Sequence, residues 1–108
     1  ERNLKRIPKN VEIEKVSCDD PKLLSKILAE RGHNKVLWEC GPELATSAVK
    51  SGCIQEFITF IAPKILGGVS AMNPFSDLGF ESMHEVLNLK FCEIKPFSKD
   101  VYIRSFMN

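Results

Sequence analysis

The sequence lacks several features that would point to common functional classes. Its two histidines are far apart and its four cysteines form no Cys-x-x-Cys pair, so the ligand spacing of a zinc site is missing. The formal net charge is only +1, and no basic run alternates with aromatic residues, which argues against a nucleic-acid partner. No apolar run approaches the roughly 18 residues of a membrane-spanning helix, and no signal peptide is visible. We therefore expect a protein that holds no metal and binds neither nucleic acid nor membrane.

The composition that is present suits one globular domain with a hydrophobic core. The 108 residues are 44% hydrophobic and 27% charged. Cys18, Cys40, Cys53 and Cys92 lie in or beside apolar runs, so we expect small buried side chains in a reducing compartment such as the cytoplasm. The chain begins with Glu1 and an abrupt polar segment, which suggests a piece of a longer protein.

The apolar periodicity predicts strands and helices in alternation over the first part of the chain. Asp20 and Pro21 are typical of a helix start, and Gly32 and Gly52 stand where two helices would end. An order of strand, helix, strand, helix, strand implies crossover connections and a largely parallel sheet. The predicted strands are residues 11–16, 36–38 and 54–62, and the predicted helices run from Pro21 towards Gly32 and over residues 43–51.

The last part of the chain predicts a different arrangement. Residues 87–94 and 101–106 have the composition of two strands, joined by residues 96–100, which indicates an antiparallel hairpin. Residues 69–85 are irregular and carry apolar side chains, so we expect a loop that folds over the domain. The fold class is therefore α/β, with a mixed, mainly parallel sheet, flanking helices and a C-terminal antiparallel hairpin.

The segment at residues 36–44 is the strongest candidate for a binding site. A buried strand would end in a lone carboxylate, Glu39, followed by Gly41 at a turn that a side chain would obstruct and Pro42 at the first helical position. The unpaired N–H groups of such a helix start bind anions, most often phosphate. Many α/β domains have the same turn without a ligand, and neither a dinucleotide fingerprint nor a P-loop is present.

Two other features have weaker support. Cys40 beside Glu39 suggests a reactive thiol, but no histidine lies nearby in the sequence to activate it. Gly67 and Gly68 follow the third predicted strand, where glycines permit unusual backbone geometry or form a flexible turn. Neither feature assigns a catalytic residue.

Three segments in order carry a resemblance to a known family. They read Trp-Glu-Cys-Gly-Pro-Glu-Leu-Ala at residues 38–45, Gly-Cys-Ile-Gln-Glu at 52–56, and Phe-Ile-Ala-Pro-Lys-Ile-Leu-Gly-Gly at 60–68. This order and spacing resemble the reductase domain of the bifunctional deaminase–reductase of riboflavin biosynthesis, over about residues 11–106. Cys40 replaces the first glycine of the family's Glu-Gly-Gly-Pro pattern, as in cyanobacterial and plastid members.

The resemblance implies a dihydrofolate-reductase-like fold and a specific reaction. The ribosyl group of a 5-amino-6-ribosylamino-pyrimidine phosphate would be reduced to ribityl, with NADPH as the hydride donor. Glu39 matches the family's acidic substrate-binding residue. Family members also pair through their reductase domains, which implies a homo-oligomer, and a plant origin would imply a plastid location. The positions that match the NADP-binding turn and first helical residues are Gly41, Pro42, Glu43, Leu44, Ala45, Thr46 and Ser47.

The resemblance also implies that part of the domain is missing. The family's reductase domain is longer than this chain, and the zinc deaminase signature is absent. Residues 1–108 are thus expected to form the C-terminal half of a riboflavin-biosynthesis reductase domain. The alternative is a non-catalytic α/β module, or a degenerate homologue that acts in assembly.

Overall fold

Two helices and a three-stranded sheet make up the computed structural model, which describes residues 8–13 and 20–108. The predicted α/β class is confirmed. The elements are α1 (Pro21–Glu30), α2 (Pro42–Lys50), β1 (Glu56–Ile61), β2 (Leu89–Phe97) and β3 (Asp100–Met107).

Helix α1 begins and ends where its sequence signals predict. The Asp20 carboxylate accepts hydrogen bonds from the backbone N–H groups of Lys22 (2.9 Å) and Leu23 (3.4 Å), and Pro21 occupies the first turn, where its missing N–H costs nothing. Gly32 has φ +85°, a left-handed conformation that reverses the chain after the last turn. Helix α1 therefore leads into residues 33–40, which form neither helix nor strand.

Helix α2 holds the small core. Its buried side chains are Thr46, Ala48 and Val49, whereas Leu44 is 37% exposed and Ala45 is half-buried. Gly52 has φ +71°, and the N–H of Cys53 donates to the carbonyl of Ala48 at 3.0 Å, closing the helix end. Apart from Pro21 of α1, Ala48 and Val49 are the buried apolar residues of the described part of the chain. Most of the large apolar side chains there are exposed.

The sheet has the strand order β1-β3-β2, and both ladders are antiparallel. The predicted C-terminal hairpin is confirmed, with a tighter loop than expected. Pro96 pairs with Val101 inside the ladder, and the turn is reduced to two residues, with φ +58° at Ser98. Proline is tolerated there because β2 lies at the edge of the described sheet.

The predicted mainly parallel sheet is wrong for the described residues. Residues 36–38 form no ladder, and residues 11–13 form no strand, while residues 14–16 lie outside the described ranges. A parallel ladder would require residues 36–38 to lie directly beside β1, but an open cleft separates the two segments. β1 instead pairs with β3, because the C-terminal hairpin returns antiparallel to it.

The loop at residues 69–85 covers the domain only in its central part. Phe75 packs edge-to-face on Phe57 of β1, with ring centroids 6.0 Å apart. Met72 and Met83 are 90% and 82% exposed, so their predicted contribution to the cover is wrong. Within the described ranges, none of the helices is long and apolar enough to cross a membrane.

Candidate functional site

An open cleft lies between residues 33–38, which form no helix or strand, and strand β1. We call it the central cleft. Helix α2 contributes Ala45 and Val49 to its lining, and the loop at residues 69–85 contributes Pro74 and Phe75. Its lining consists of Lys22, Ser25, residues 33–38, Cys40, Ala45, Val49, residues 51–60, Pro74, Phe75 and Arg104.

An ion pair stands on the β1 side of the central cleft. The Arg104 guanidinium donates through Nε to Oε1 of Glu56 and through Nη2 to Oε2 at 3.3 Å, a bidentate arrangement. These hydrogen bonds, more than the nearby charges of Arg104 and Lys35, lower the pKa of Glu56 below its ordinary value of 4.5. The guanidinium also lies 5.1 Å from the ring centroid of Phe106. Sequence patterns missed this pair, since only the β1–β3 register brings residues 56 and 104 together.

The start of helix α2 is open to a ligand. Gly41 is the N-cap residue and supplies no side-chain hydrogen bond to the first turn. A shallow pocket lies at this helix end and is lined by Gly41, Pro42, Glu43 and Leu44. The prediction that a side chain would obstruct this turn is wrong, because Gly41 has φ −73° and an added Cβ would meet no atom within 4 Å. The chain itself therefore gives no steric reason for glycine at this position.

The seven predicted cofactor positions face three different surroundings. Residues 41–44 line the helix-end pocket, whereas Ala45 lines the central cleft. Thr46 is 7% exposed, and its hydroxyl donates to the carbonyl of Ser76 (3.4 Å) and accepts from the N–H of Ser76 (2.8 Å). Thr46 thus anchors the loop at residues 69–85 on α2, and Ser47 is half-buried beside it.

Glu39 and Cys40 lie on the irregular segment that leads into α2. Glu39 is exposed, and its carboxylate accepts no hydrogen bond from any residue that the structure describes. Cys40 lines the central cleft and is exposed, as is Cys92, while Cys53 is half-buried. The predicted burial of the cysteines is therefore wrong for Cys40, because no described strand pairs with residues 36–40, and for Cys92, which lies at the register shift of the edge strand β2. Cys18 lies outside the described ranges.

Gly67 and Gly68 have the unusual backbone geometry that their sequence permits. Their φ values are +63° and +108°, and both residues are exposed. Nothing within 4 Å would meet a Cβ at either position. Among the described residues, no group of three or more His, Cys, Asp or Glu side chains could hold a metal ion.

Comparison with known proteins agrees with this architecture. A match to the family described as RibD C-terminal domain covers residues 2–103. The chain belongs to this family. The family expected from the motifs at residues 38–68 is thereby confirmed.

The proteins whose sequences are similar to this chain include riboflavin-biosynthesis proteins of plants and bacteria. The chloroplastic PYRR protein of Arabidopsis thaliana is 35% identical over 99 residues, which is 92% of this chain and 16% of that protein. The RibD protein of Synechocystis is 45% identical over 69 residues, or 64% of this chain and 19% of that protein.

Solved structures that resemble this chain include a member of the same family. RibD of Acinetobacter baumannii superposes with a TM-score of 0.71 and 28% identity over 91% of this chain. That alignment uses 26% of the Acinetobacter chain. This chain therefore spans about a quarter or less of the proteins that it matches.

Proposed function

We propose that this chain is the C-terminal half of a riboflavin-biosynthesis reductase domain. The complete domain would use NADPH to reduce the ribosyl side chain of a 5-amino-6-ribosylamino-pyrimidine phosphate to ribityl. The observation that carries the proposal is an uncapped helix start that opens onto a pocket directly after Glu39, in a chain of the RibD C-terminal domain family.

The proposed cofactor contact is the start of helix α2. The free N–H groups of a first turn and the helix dipole together favour an anion such as a cofactor phosphate. Gly41 leaves this end without a competing side-chain acceptor, and a phosphate could approach the backbone closely because no Cβ intervenes. The negative charge of Glu43 in the same turn would disfavour an anion, so we expect the Glu43 carboxylate to point away from the phosphate when it is bound.

The proposed substrate contact is Glu39. Its carboxylate is exposed and free of partners among the described residues, so it can accept hydrogen bonds from two ribose hydroxyls. Glu39 lies two residues before the helix cap, so a sugar bound at Glu39 would lie near the start of α2. Hydride transfer requires donor and acceptor carbons at near-attack distance in a site without water. The described residues alone leave both contacts open to solvent, so the remaining walls must come from other parts of the domain.

A titration with NADPH tests the proposal. The chain and a longer protein that contains the whole reductase domain would be titrated separately, with nicotinamide fluorescence as the readout. We expect binding to the longer protein and much weaker binding to the chain alone. A folded longer protein that binds no NADPH would contradict the proposal.

The second candidate is a non-catalytic α/β module that acts in assembly. Cys40 in place of the family's glycine and the small buried core of α2 favour it. A degenerate module would bind no NADPH in the longer protein, and a Cys40→Gly substitution would not restore binding. The same titration therefore separates the two candidates.

A further inference from the structure

The hydroxyl of Thr46 joins helix α2 to the loop at residues 69–85. It accepts a hydrogen bond from the N–H of Ser76 at 2.8 Å and donates to the carbonyl of the same residue at 3.4 Å. Thr46 is 7% exposed, so water has little access to these two bonds. A threonine within a helix commonly returns its hydroxyl to the carbonyl four residues earlier, whereas this hydroxyl makes a contact 30 residues away along the chain.

The same N–H of Ser76 also reaches the first turn of α2. Its nitrogen lies 3.5 Å from the carbonyl oxygen of Pro42, so one donor is shared between the first residue of the helix and Thr46 one turn later. At the other end of α2, the Lys50 ammonium donates to the carbonyl of Asp77 at 3.3 Å. The loop is therefore held to α2 at the first turn, the middle and the last residue of the helix.

The start of α2 needs support from outside because it has no cap of its own. Gly41 provides no side-chain hydrogen bond to the first turn, and an uncapped helix end frays. A capping side chain would oppose the fraying, but it would also occupy the N–H groups of Glu43 and Leu44, which an anion requires. The contact between Thr46 and Ser76 acts on the side of the helix and leaves those N–H groups free.

We propose that Thr46 is a positioning residue for the cofactor. Its hydroxyl holds Ser76 against the first two turns of α2, and this contact keeps the helix start ordered in the geometry that receives the cofactor phosphate. Thr46 would act through Ser76 and Pro42 without touching the cofactor, since its buried hydroxyl already donates and accepts within the protein. A preordered site loses less conformational entropy on binding, so the contact should raise the affinity for NADPH. The inference rests on the proposed function, because it takes the start of α2 as the cofactor-binding end.

A matched pair of substitutions tests the inference in a longer protein that contains the whole reductase domain. Thr46→Val keeps the shape of the side chain and removes the hydroxyl, whereas Thr46→Ser keeps the hydroxyl. We expect Thr46→Val to raise the NADPH dissociation constant and the KM for NADPH about tenfold, with kcat at saturating NADPH and the KM for the pyrimidine substrate little changed. Thr46→Ser should give values close to those of the unsubstituted protein. An unchanged NADPH dissociation constant in folded Thr46→Val would overturn the inference.

Ile103→Val separates positioning from a general loss of stability. Ile103 is half-buried in β3 and lines neither the central cleft nor the helix-end pocket. We expect this substitution to lower the melting temperature without changing the NADPH dissociation constant. An equal rise of the dissociation constant in Ile103→Val and Thr46→Val would show a merely structural role for Thr46 and overturn the inference. If Thr46→Val does not fold, Thr46→Ala takes its place, because alanine favours the helix.

Amide exchange gives a readout that needs no cofactor. In the first turn of α2, the N–H of Ala45 donates to the carbonyl of Gly41 at 3.0 Å, so its exchange rate reports whether this turn is formed. We expect the amides of Ala45 and Ser76 to exchange several-fold faster in Thr46→Val than in the unsubstituted protein, and Thr46→Ser to resemble the latter. Unchanged exchange at both amides would overturn the inference, whether or not NADPH binds.

The possible outcomes remain distinct from those of the proposed function. Faster exchange at Ala45 and Ser76 in Thr46→Val, in a longer protein that binds no NADPH, would refute the proposed function and still show that the hydroxyl orders the helix start. Equal NADPH affinities for the unsubstituted protein and Thr46→Val would overturn the inference and leave the proposed function in place.

Discussion

Arg104 of β3 forms a bidentate ion pair with Glu56, which is the first residue of β1. The two residues are not direct partners in the ladder, since Glu56 lies opposite Phe106 and Arg104 opposite Ile58. The pair is therefore diagonal across the two strands, within reach of long side chains. It ties the start of β1 to the middle of β3 beside the central cleft.

The Glu56–Arg104 pair should make stability depend on pH. The folded-state pKa of Glu56 is lowered by its hydrogen bonds to Arg104, so its contribution is present above the ordinary value of 4.5 and is lost as pH falls through the lowered pKa. Thermal melts of the chain and of Glu56→Gln between about pH 7 and about pH 3 would measure this. We expect the melting temperatures to differ at neutral pH and to converge in acid.

Glu30→Gln, which removes an exposed ion pair with Lys26 on α1, serves as the control and should change the melting temperature little. A constant difference between Glu56→Gln and the unsubstituted chain over the whole range would contradict the assignment.

Glu39→Gln in a longer protein should impair the proposed reaction without unfolding it. The carboxylate is exposed, so the substitution removes a charge and no internal contact among the described residues. Loss of a charge-assisted hydrogen bond to a ribose hydroxyl should cost about 1.5–3 kcal/mol, or roughly ten- to a hundredfold in kcat/KM. Steady-state kinetics with the pyrimidine substrate measure the effect, and Glu12→Gln, another exposed carboxylate, is the control. Unchanged kinetics for Glu39→Gln would remove the substrate role.

Gly41→Ser should separate cofactor binding from stability. Gly41 has an ordinary φ and space for a Cβ, and serine is a favourable N-cap residue, so the free energy of unfolding should stay the same or rise. The serine hydroxyl would occupy the N–H groups that a phosphate needs, and the NADPH dissociation constant of a longer protein should rise about tenfold. Calorimetry and fluorescence titration measure the two effects.

Gly52→Ser is the control for the effect of Gly41→Ser on the free energy of unfolding. Its φ of +71° strains any side chain, so this substitution should lower the free energy of unfolding by about 1 kcal/mol. NADPH binding unaffected by Gly41→Ser would place the phosphate elsewhere and leave Gly41 as part of an ordinary turn.

The Cys40 thiol should react with a thiol reagent in the isolated chain. Cys40 is exposed on the central cleft, whereas Cys53 is half-buried and shares a 3.4 Å contact with the Ser51 hydroxyl. Labelling followed by mass spectrometry of the digested protein should show faster modification at Cys40 than at Cys53. Cys40→Gly should leave the function of a longer protein largely intact, because it restores the family's usual residue. A large loss of activity in Cys40→Gly would show that the thiol has a role of its own.

The 108-residue chain by itself should have no reductase activity and should not remain a monomer. It spans 16% to 26% of its longer relatives. The edge of β1 that pairs with no strand among the described residues, together with the exposed Ile65, Leu66 and Val69, favours association. Size-exclusion chromatography with light scattering should show a dimer or larger species. A stable monodisperse monomer would mean that the chain protects its own edges.

The local parts of the fold were predictable because their signals lie within a few residues of each other. Asp20 and Pro21 start α1, Pro42 starts α2, and Gly52 follows its end, since caps and turns depend on nearby backbone groups. The hairpin of β2 and β3 also came from short-range patterning, although the pattern did not place Pro96 inside the ladder. The motif at residues 38–68 was enough to indicate the family.

The sequence by itself determined the helices, the hairpin, the family and the candidate segment from Glu39 to Ser47, all of which depend on local order along the chain. Only the tertiary structure decided which strands pair, that residues 36–38 stand apart from β1, and that Cys40 is exposed. It also decided that the Thr46 hydroxyl is used by Ser76 and that Glu56 meets Arg104. These contacts join residues 30 to 48 positions apart, and periodicity shows which face of an element is apolar but not which neighbour covers that face.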